Sequence, residues 1–336
     1  MVLLLSRSDV ETALPMAACI ASQEYAFREQ VLGTGHTPHR LSLEVTGQDG
    51  LYIAMPSHLE QLPLSDERAG AMAVKVLTYY ADNPTRHGRP PIVATVLLHD
   101  PANGALLAIM DGASITGLRT AAGSAVATKY LARTESSVVG ILGAGVQAES
   151  HLIAMCEVRP IRQARIFSRD PEHRQALARR MATRLEIEVN AVASARDAVV
   201  GADIVVTATT AREPIVQGDW FDPGTHINCV GSGIPDRREL DDRIVQRSTI
   251  VVDTRASALA EAGDLLIPMS TGLIDANAIH AELGELITGQ QAGRTDQEEI
   301  TLFKSVGVAL QDVAAAAWAY RQAQSLGLGQ HLELSS

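Results

Sequence analysis

Residues 137–148, SVVGILGAGVQA, limit what this chain can fold into more than any other stretch. A short β-branched apolar run ends on Gly143, which permits a tight turn, and Gly145 follows where a helix begins. In that arrangement bare backbone approaches a pyrophosphate, and the N-terminus of the helix stabilises its charge. The GxGxxA spacing of Gly143, Gly145 and Ala148 is weak by itself, because Gly-rich turns also occur in α/β proteins without ligands. Here the preceding strand, the helix from about Val146 and the next apolar run, ARIFSRD, about 20 residues on, keep the register of a βαβ unit. A Rossmann-type parallel sheet is expected.

The surrounding text divides the chain. ADIVVTATT, THINCVGSG and STIVVDT continue the alternation of short apolar strands with helices. Before it, Val2 to Leu5 reads as a strand, and Ser8 with Glu11 three residues on reads as a capping box opening a helix to about Arg28. LSLEV, LYIAMP, AMAVKVLTYY and IVATVLLHD are β-type runs punctuated by Gly, Pro and Asp, which predicts antiparallel sheet. Asn103-Gly104 between two apolar runs predicts a hairpin. Thr116 to Ala132 is Ala-rich and fits a long helix, as does Phe303 to about Ser325. The expected fold class is α/β, with a Rossmann-type parallel-sheet domain (126–307) inserted in a second α+β domain. Residues 1–125 and 308–336 form that second domain, the last helix packing back on the first segment.

Composition narrows the function classes. Hydrophobic residues are 46% of the 336 but aromatics only 4%, so the cores are built from Ala, Val, Leu and Ile. Lys plus Arg is 28 against 39 Asp plus Glu, a formal net charge of -11. Such a field repels nucleic acid and anionic membrane surfaces, while a local cluster of Arg and Lys still admits a small anionic substrate. Cys19, Cys156 and Cys229 lie far apart with no CxxC and no His at ligand spacing. A disulfide framework or a metal site is therefore not expected, and each Cys reads as a small buried hydrophobe. No apolar run approaches the ~18 residues of a membrane helix. The N-terminus meets Arg7, Asp9 and Glu11 too early for a signal peptide, so a cytoplasmic protein is expected.

Several residues are candidates for chemistry. ARIFSRD ends in Ser168-Arg169, with Asp170 one step later. A hydroxyl and an Arg there suit a 2′-phosphate, which favours NADPH; Asp170 turned towards a ribose would keep NADH open. Arg169 also reads as a solvated loop cation. Lys75 shares a strand face with Ala73 and Leu77, which draws it from water and lowers its pKa. It then serves as an acid–base group or a carboxylate binder, unless it is an edge lysine that snorkels. Arg119 reads as opening the long helix, where a cation is unfavourable at the positive dipole end unless an anion offsets it. That anion is a ligand carboxylate or phosphate, or the partner of a structural ion pair. The loop CVGSGIPDRRELDD, Cys229 to Asp242, follows a core strand at the carboxyl edge where open α/β sheets bind ligands. Gly231 and Gly233 give it backbone freedom beside a nicotinamide, and Glu239 reads as a cap for the following helix.

Four long segments together resemble the ornithine cyclodeaminase/mu-crystallin family from about Leu3 to Ala323. They are GILGAGVQAESH, ATVLLHDPANGALLAIMDGASITGLRTAAGSAVATKYL, HINCVGSGIPDRRELDD, and HAELGELITG followed by GRTDQEEITLFKSVGVALQDVAAAA. The resemblance implies a split substrate and dimerisation domain carrying an inserted Rossmann domain, NAD(P) chemistry on amino acids or their imines, and a homodimer. It places Arg40, Lys75 and Arg119 at the substrate-carboxylate and acid–base positions, and Gly143, Gly145, Val146 and Gln147 at the pyrophosphate loop. Arg119, Thr120, Ser168, Arg169, Thr207, Thr209, Val230 and Ser305 match positions that touch the cofactor. Glu261 matches an acidic residue near the substrate, and Gly233 stands in the substrate loop.

Gly233 is also the departure that separates subfamilies. Ornithine cyclodeaminases and the related alanine dehydrogenases carry a catalytic Asp at that place. The loop is similar to the GASxPxxRELDD form of the mu-crystallin ketimine-reductase type, which has Ser there. The resemblance thus implies reduction of a cyclic ketimine carboxylate, such as pyrroline- or piperideine-2-carboxylate, to the L-amino acid. A cyclodeaminase, an alanine-type dehydrogenase, a small-ligand-binding crystallin-like protein and an amino-acid-condensing synthase are the alternatives.

Overall fold

The computed structural model describes residues 1–63, 70–231 and 233–334, which separate into two compact units. The first comprises residues 1–119 and 308–336, the second 120–307. In chain order the first holds β1 (Val2–Leu5), α1 (Arg7–Ala13), α2 (Met16–Leu32), β2 (Gly35–His36), β3 (Leu41–Val45) and β4 (Gly50–Leu59). It continues with β5 (Ala71–Tyr80), α3 (Asn83–His87), β6 (Ile92–His99), β7 (Leu106–Asp111) and the start of α4 (Gly112–Leu131). The second unit runs through β8 (Val138–Leu142), α5 (Val146–Val158), β9 (Gln163–Phe167), α6 (Pro171–Leu185), β10 (Glu188–Ala191), α7 (Ala195–Val199), β11 (Ile204–Thr207) and β12 (His226–Cys229). It ends with α8 (Asp242–Arg247), β13 (Ser248–Val252), α9 (Arg255–Glu261), α10 (Gly263–Ser270), β14 (Ile279–Glu282), α11 (Leu283–Ile287) and β15 (Ile300–Lys304). Helix α12 (Ala309–Leu326) and β16 (Gln330–Leu332) return the chain to the first unit.

In the first unit the strands run β16-β1-β7-β6-β5-β4-β2, with β3 on β4; pairing is antiparallel except between β1 and β7. The predicted hairpin joins β6 to β7 through Asp100–Ala105, with Gly104 at φ +77 and Asn103 Oδ1 accepting from Ala105 N. On β5 the side chains alternate, and Ala71, Ala73 and Lys75 are buried. Helix α12 covers that face and also packs on α2. Its buried positions are mostly Ala, and small side chains let a helix lie close to a sheet without aromatic filler.

Four local expectations are corrected. The first helix is capped by Ser6, not Ser8: Ser6 Oγ accepts from Asp9 N, and Asp9 reaches back to Ser6 N at 2.9 Å. Nor does that helix continue to Arg28, because Leu14-Pro15 interrupts it and α2 starts afresh at Met16; proline supplies no N–H to carry a helix on. Helix α4 begins at Gly112 rather than Thr116, since Asp111 Oδ1 accepts from Ser114 N at 2.7 Å and caps it. Phe303 lies in a strand, β15, and the last helix begins only at Ala309.

The second unit is a parallel sheet in the order β10-β9-β8-β11-β12-β15-β13-β14. The order reverses between β8 and β11, which opens a crevice at their carboxyl ends. Strand β15, last in sequence, is paired on both sides, by β12 and β13, and all five of its residues are buried. Cys19 and Cys229 are buried as expected, whereas Cys156 is only partly so.

Candidate active site

In the first unit, Lys75 lies at the middle of β5, without solvent exposure, under the first turn of α12. Its Nζ is 2.9 Å from the Asp312 carboxylate. Arg119 donates through Nε to Asp312 Oδ1 at 3.0 Å and through Nη1 to Gln311 Oε1 at 2.7 Å. Gln311 Nε2 in turn donates to the Arg119 carbonyl at 3.4 Å. Asp312 sits in the first turn of α12, where the helix dipole favours a carboxylate. Arg40 precedes β3, half-buried, and its charge acts on Lys75.

These neighbours set the protonation of Lys75. Burial lowers its pKa most, Arg119 and Arg40 lower it further, and Asp312 opposes them; the result is about 7 against 10.5. An amine poised there both donates and accepts a proton at neutral pH. The geometry also corrects the expected setting of Arg119. That residue lies two turns inside α4, so the helix dipole does not explain it; the anion that offsets it is Asp312. Asp312 and Gln311 carry no signal that singles them out in the sequence, although the pair stands in the first turn of a helix that directly follows a strand and a Gly-containing turn.

In the second unit, Gly143 has φ +124, and a Cβ there would lie 2.5 Å from the Ala208 carbonyl, so only glycine fits. Gly145 caps α5 with backbone alone and is exposed, with nothing within 4 Å of where a Cβ would stand. Val146 is exposed and Gln147 half-buried in the first turn. A helix N-terminus with no side-chain cap and open space at its capping glycine suits a pyrophosphate. Past the end of β9, Ser168 Oγ donates to the Asp170 carbonyl and Arg169 is exposed. Asp170 itself is the N-cap of α6, its Oδ1 accepting from Glu172 N and His173 N. Those bonds, both to one carboxylate oxygen, help to hold its pKa down.

Thr120 is buried in α4, and Thr207 is buried at the end of β11. Val230 N donates to the Thr207 carbonyl at 2.9 Å, and Ser305 N to the Cys229 carbonyl at 3.0 Å, so these residues line the carboxyl ends of adjacent strands. Thr209 N and Oγ1 both donate to Glu239 Oε1 at 2.7 Å. Glu239 is thus not a helix cap: α8 is capped by Asp241, which accepts from Ile244 N. Glu239 is buried and binds two loops instead. Gly233 is exposed, with the Val306 carbonyl oxygen 4.0 Å from where a Cβ would stand, and Glu261 ends α9 half-buried. Among the described residues no cluster of His, Cys, Asp or Glu is arranged for a metal. Among them, too, no helix is long and apolar enough to cross a membrane.

The sequence model of the ornithine cyclodeaminase/mu-crystallin family matches residues 1–327. Among curated proteins, the ketimine reductase mu-crystallin of Rattus norvegicus is 41% identical over 259 residues, 77% of this chain and 78% of that protein. Among solved structures, the Δ1-pyrroline-2-carboxylate reductase of Thermococcus litoralis, in complex with NADH and L-proline, superposes with a TM-score of 0.93. It shares 47% identity, over 98% of this chain and all of that one. An archaeal alanine dehydrogenase dimer with bound NAD has a TM-score of 0.91 at 34% identity, over 99% of each chain.

Proposed function

The chain belongs to the ornithine cyclodeaminase/mu-crystallin family and is an NAD(P)-dependent oxidoreductase acting on C=N or CH–NH groups; on that premise we propose that it reduces a cyclic α-imino acid carboxylate to the L-amino acid. Δ1-Pyrroline-2-carboxylate and Δ1-piperideine-2-carboxylate are the substrates favoured. The observation that carries the reading is the buried Lys75, poised near neutrality and flanked by Arg119 and Arg40.

The reduced dinucleotide, when bound, supplies the hydride. The protein's own residues do the rest. Arg119 uses Nε and one Nη1 bond on α12, and its remaining N–H groups would bind the substrate carboxylate, with Arg40 as the second cation. Holding the carboxylate fixes which face of the C=N bond is presented. Lys75 Nζ donates a proton to the imine nitrogen, since an iminium accepts hydride more readily than an imine, and Asp312 keeps the ammonium in place. Glu261 is assigned to the developing iminium or to an amine substituent. Gly233 offers no side chain to manage addition of water or ammonia, which disfavours cyclodeamination.

NADPH is favoured over NADH because Ser168 and the exposed Arg169 follow β9, while Asp170 lies one step later and caps α6 through one carboxylate oxygen. Gly143, Gly145, Val146 and Gln147 would hold the pyrophosphate, and Thr120, Thr207, Thr209, Val230 and Ser305 the remainder of the cofactor. A second copy of this chain is the proposed partner. Leu41, Leu43, Tyr52, Met72 and Val93 are exposed and, by strand register, share the sheet face opposite Lys75.

The test is a panel of cyclic imino acids assayed with NADPH and with NADH. Reduction of a five- or six-membered ketimine carboxylate, faster with NADPH, is expected. Failure with every such substrate, together with conversion of ornithine to proline without added cofactor, overturns the reading.

A further inference from the structure

We propose that Glu239 is a positioning residue for the nicotinamide end of the dinucleotide, holding the loops after β11 and β12 in the one arrangement that receives it; this rests on the dinucleotide-binding reading. In the sheet order β9-β8-β11-β12, the residues read as contacting the adenosine phosphate follow β9, and the pyrophosphate turn follows β8. Strand β12 is three steps from β9, about 14 Å at about 4.8 Å per step. The far end of an extended dinucleotide therefore meets the loops that leave β11 and β12.

Glu239 joins those two loops. Its Oε1 accepts from Thr209 N and Thr209 Oγ1, both at 2.7 Å, and its Oε2 accepts from Gly231 N at 2.9 Å. The loops are pressed together at that point: a Cβ on Gly231 would overlap both the Thr209 carbonyl oxygen and Glu239 Oε1. Glu239 is itself held from behind. Its N–H, with that of Leu240, donates to Asp264 Oδ1 at 2.7 and 3.0 Å, and Asp264 is 2.9 Å from Lys304 Nζ. Lys304 ends β15, next to Cys229 of β12 in register, with Nζ 3.6 Å from Cys229 Sγ. Asp253 secures the neighbouring loop, its Oδ2 accepting from Val306 N at 2.9 Å and Gly307 N at 2.6 Å.

All of Glu239, Asp264, Lys304 and Asp253 are buried. Burying three carboxylates around one ammonium costs stability that well-packed apolar side chains would not. What the arrangement provides is backbone placement at one edge of the sheet. A glutamine at 239 cannot reproduce it. Its amide has one acceptor oxygen, so the Thr209 side or the Gly231 side then faces an NH2 with a donor.

The test compares a whole cofactor with its adenosine half. Dissociation constants for NADPH and for 2′,5′-ADP are measured by fluorescence titration on the parent and on Glu239→Gln. The variant is expected to bind NADPH about ten-fold more weakly, as loss of one charge-assisted hydrogen bond implies. Its affinity for 2′,5′-ADP stays within about two-fold, because β8 and β9 keep their turns. Should Glu239→Gln not fold, Glu239→Asp, which keeps the charge but shortens the reach, is expected to give the same selective loss. Equal weakening of both ligands, or no change in either, overturns the proposal. A parent protein that binds neither NADPH nor NADH instead refutes the dinucleotide reading beneath it.

Discussion

Asp312→Asn separates the chemistry of Lys75 from its packing. Asp312 lies 2.9 Å from Lys75 Nζ and is the charge that raises the lysine's pKa against burial and two guanidinium groups. At that separation an ion pair contributes about 6 kcal/mol for an effective dielectric of about 20. Asparagine still accepts a hydrogen bond, so a fall of about 1–3 pKa units is the expected net effect. From about 7 in the parent, a two-unit drop takes the protonated fraction at pH 7 from about one half to about one hundredth. Reduction of pyrroline-2-carboxylate at pH 7, at saturating NADPH, should therefore slow about fifty-fold. The rate should recover as pH is lowered towards 5, because acid restores the ammonium. The assay is the pH profile of kcat in the parent and variant, with Lys75→Gln as the control in which the limb disappears. An Asp312→Asn profile whose descending limb still falls near pH 7 would refute the assignment of Lys75 as proton donor.

Four other outcomes follow from the same geometry. Gly143→Ala, strained at φ +124 and crowded by the Ala208 carbonyl, should lower stability by about 1–3 kcal/mol and abolish dinucleotide binding. Gly145→Ala, with open space at its Cβ, should keep the parent Tm yet lose affinity, and calorimetry with fluorescence titration distinguishes the two. Arg169→Ala should weaken NADPH about ten-fold and leave NADH within two-fold, as expected for one charge-assisted contact to a 2′-phosphate; equal effects on both cofactors would remove Arg169 from that role. The depressed pKa of Lys75 also links to stability: the unfolded chain binds this proton more tightly between about 7 and 10.5, so burial costs most below about pH 7 and less as pH rises. Denaturant melts of Lys75→Met should shift in the variant's favour by up to about 4 kcal/mol on going from pH 10 to pH 7.

Local signals are the legible ones. The βαβ turn, the hairpin and the burial of Lys75 can be read along the chain because glycine conformation and strand alternation act over a few residues. The start of α4 is hidden because Ala-rich text carries no boundary, while the Asp111 cap lies just upstream of the Ala-rich run. Strand β15 resembles helix in sequence since ITLFK is fully buried and therefore shows neither period. Glu239 stands out in the sequence as an acid near a helix start, which suggests a cap; only the fold shows that Asp241 fills that place and leaves Glu239 to join two loops.

By itself the sequence determined the Rossmann-type unit and the family, and it singled out the cationic residues Arg40, Lys75 and Arg119 as candidates, because these readings depend on spacing along the chain and on residue type. Only the tertiary structure decided what surrounds those cations. Lys75 and its carboxylate are 237 positions apart in sequence, and Arg119 reaches the same carboxylate from 193 positions away. Burial and Coulomb interaction depend on distance through space and on excluded water, and neither is written in the order of the residues.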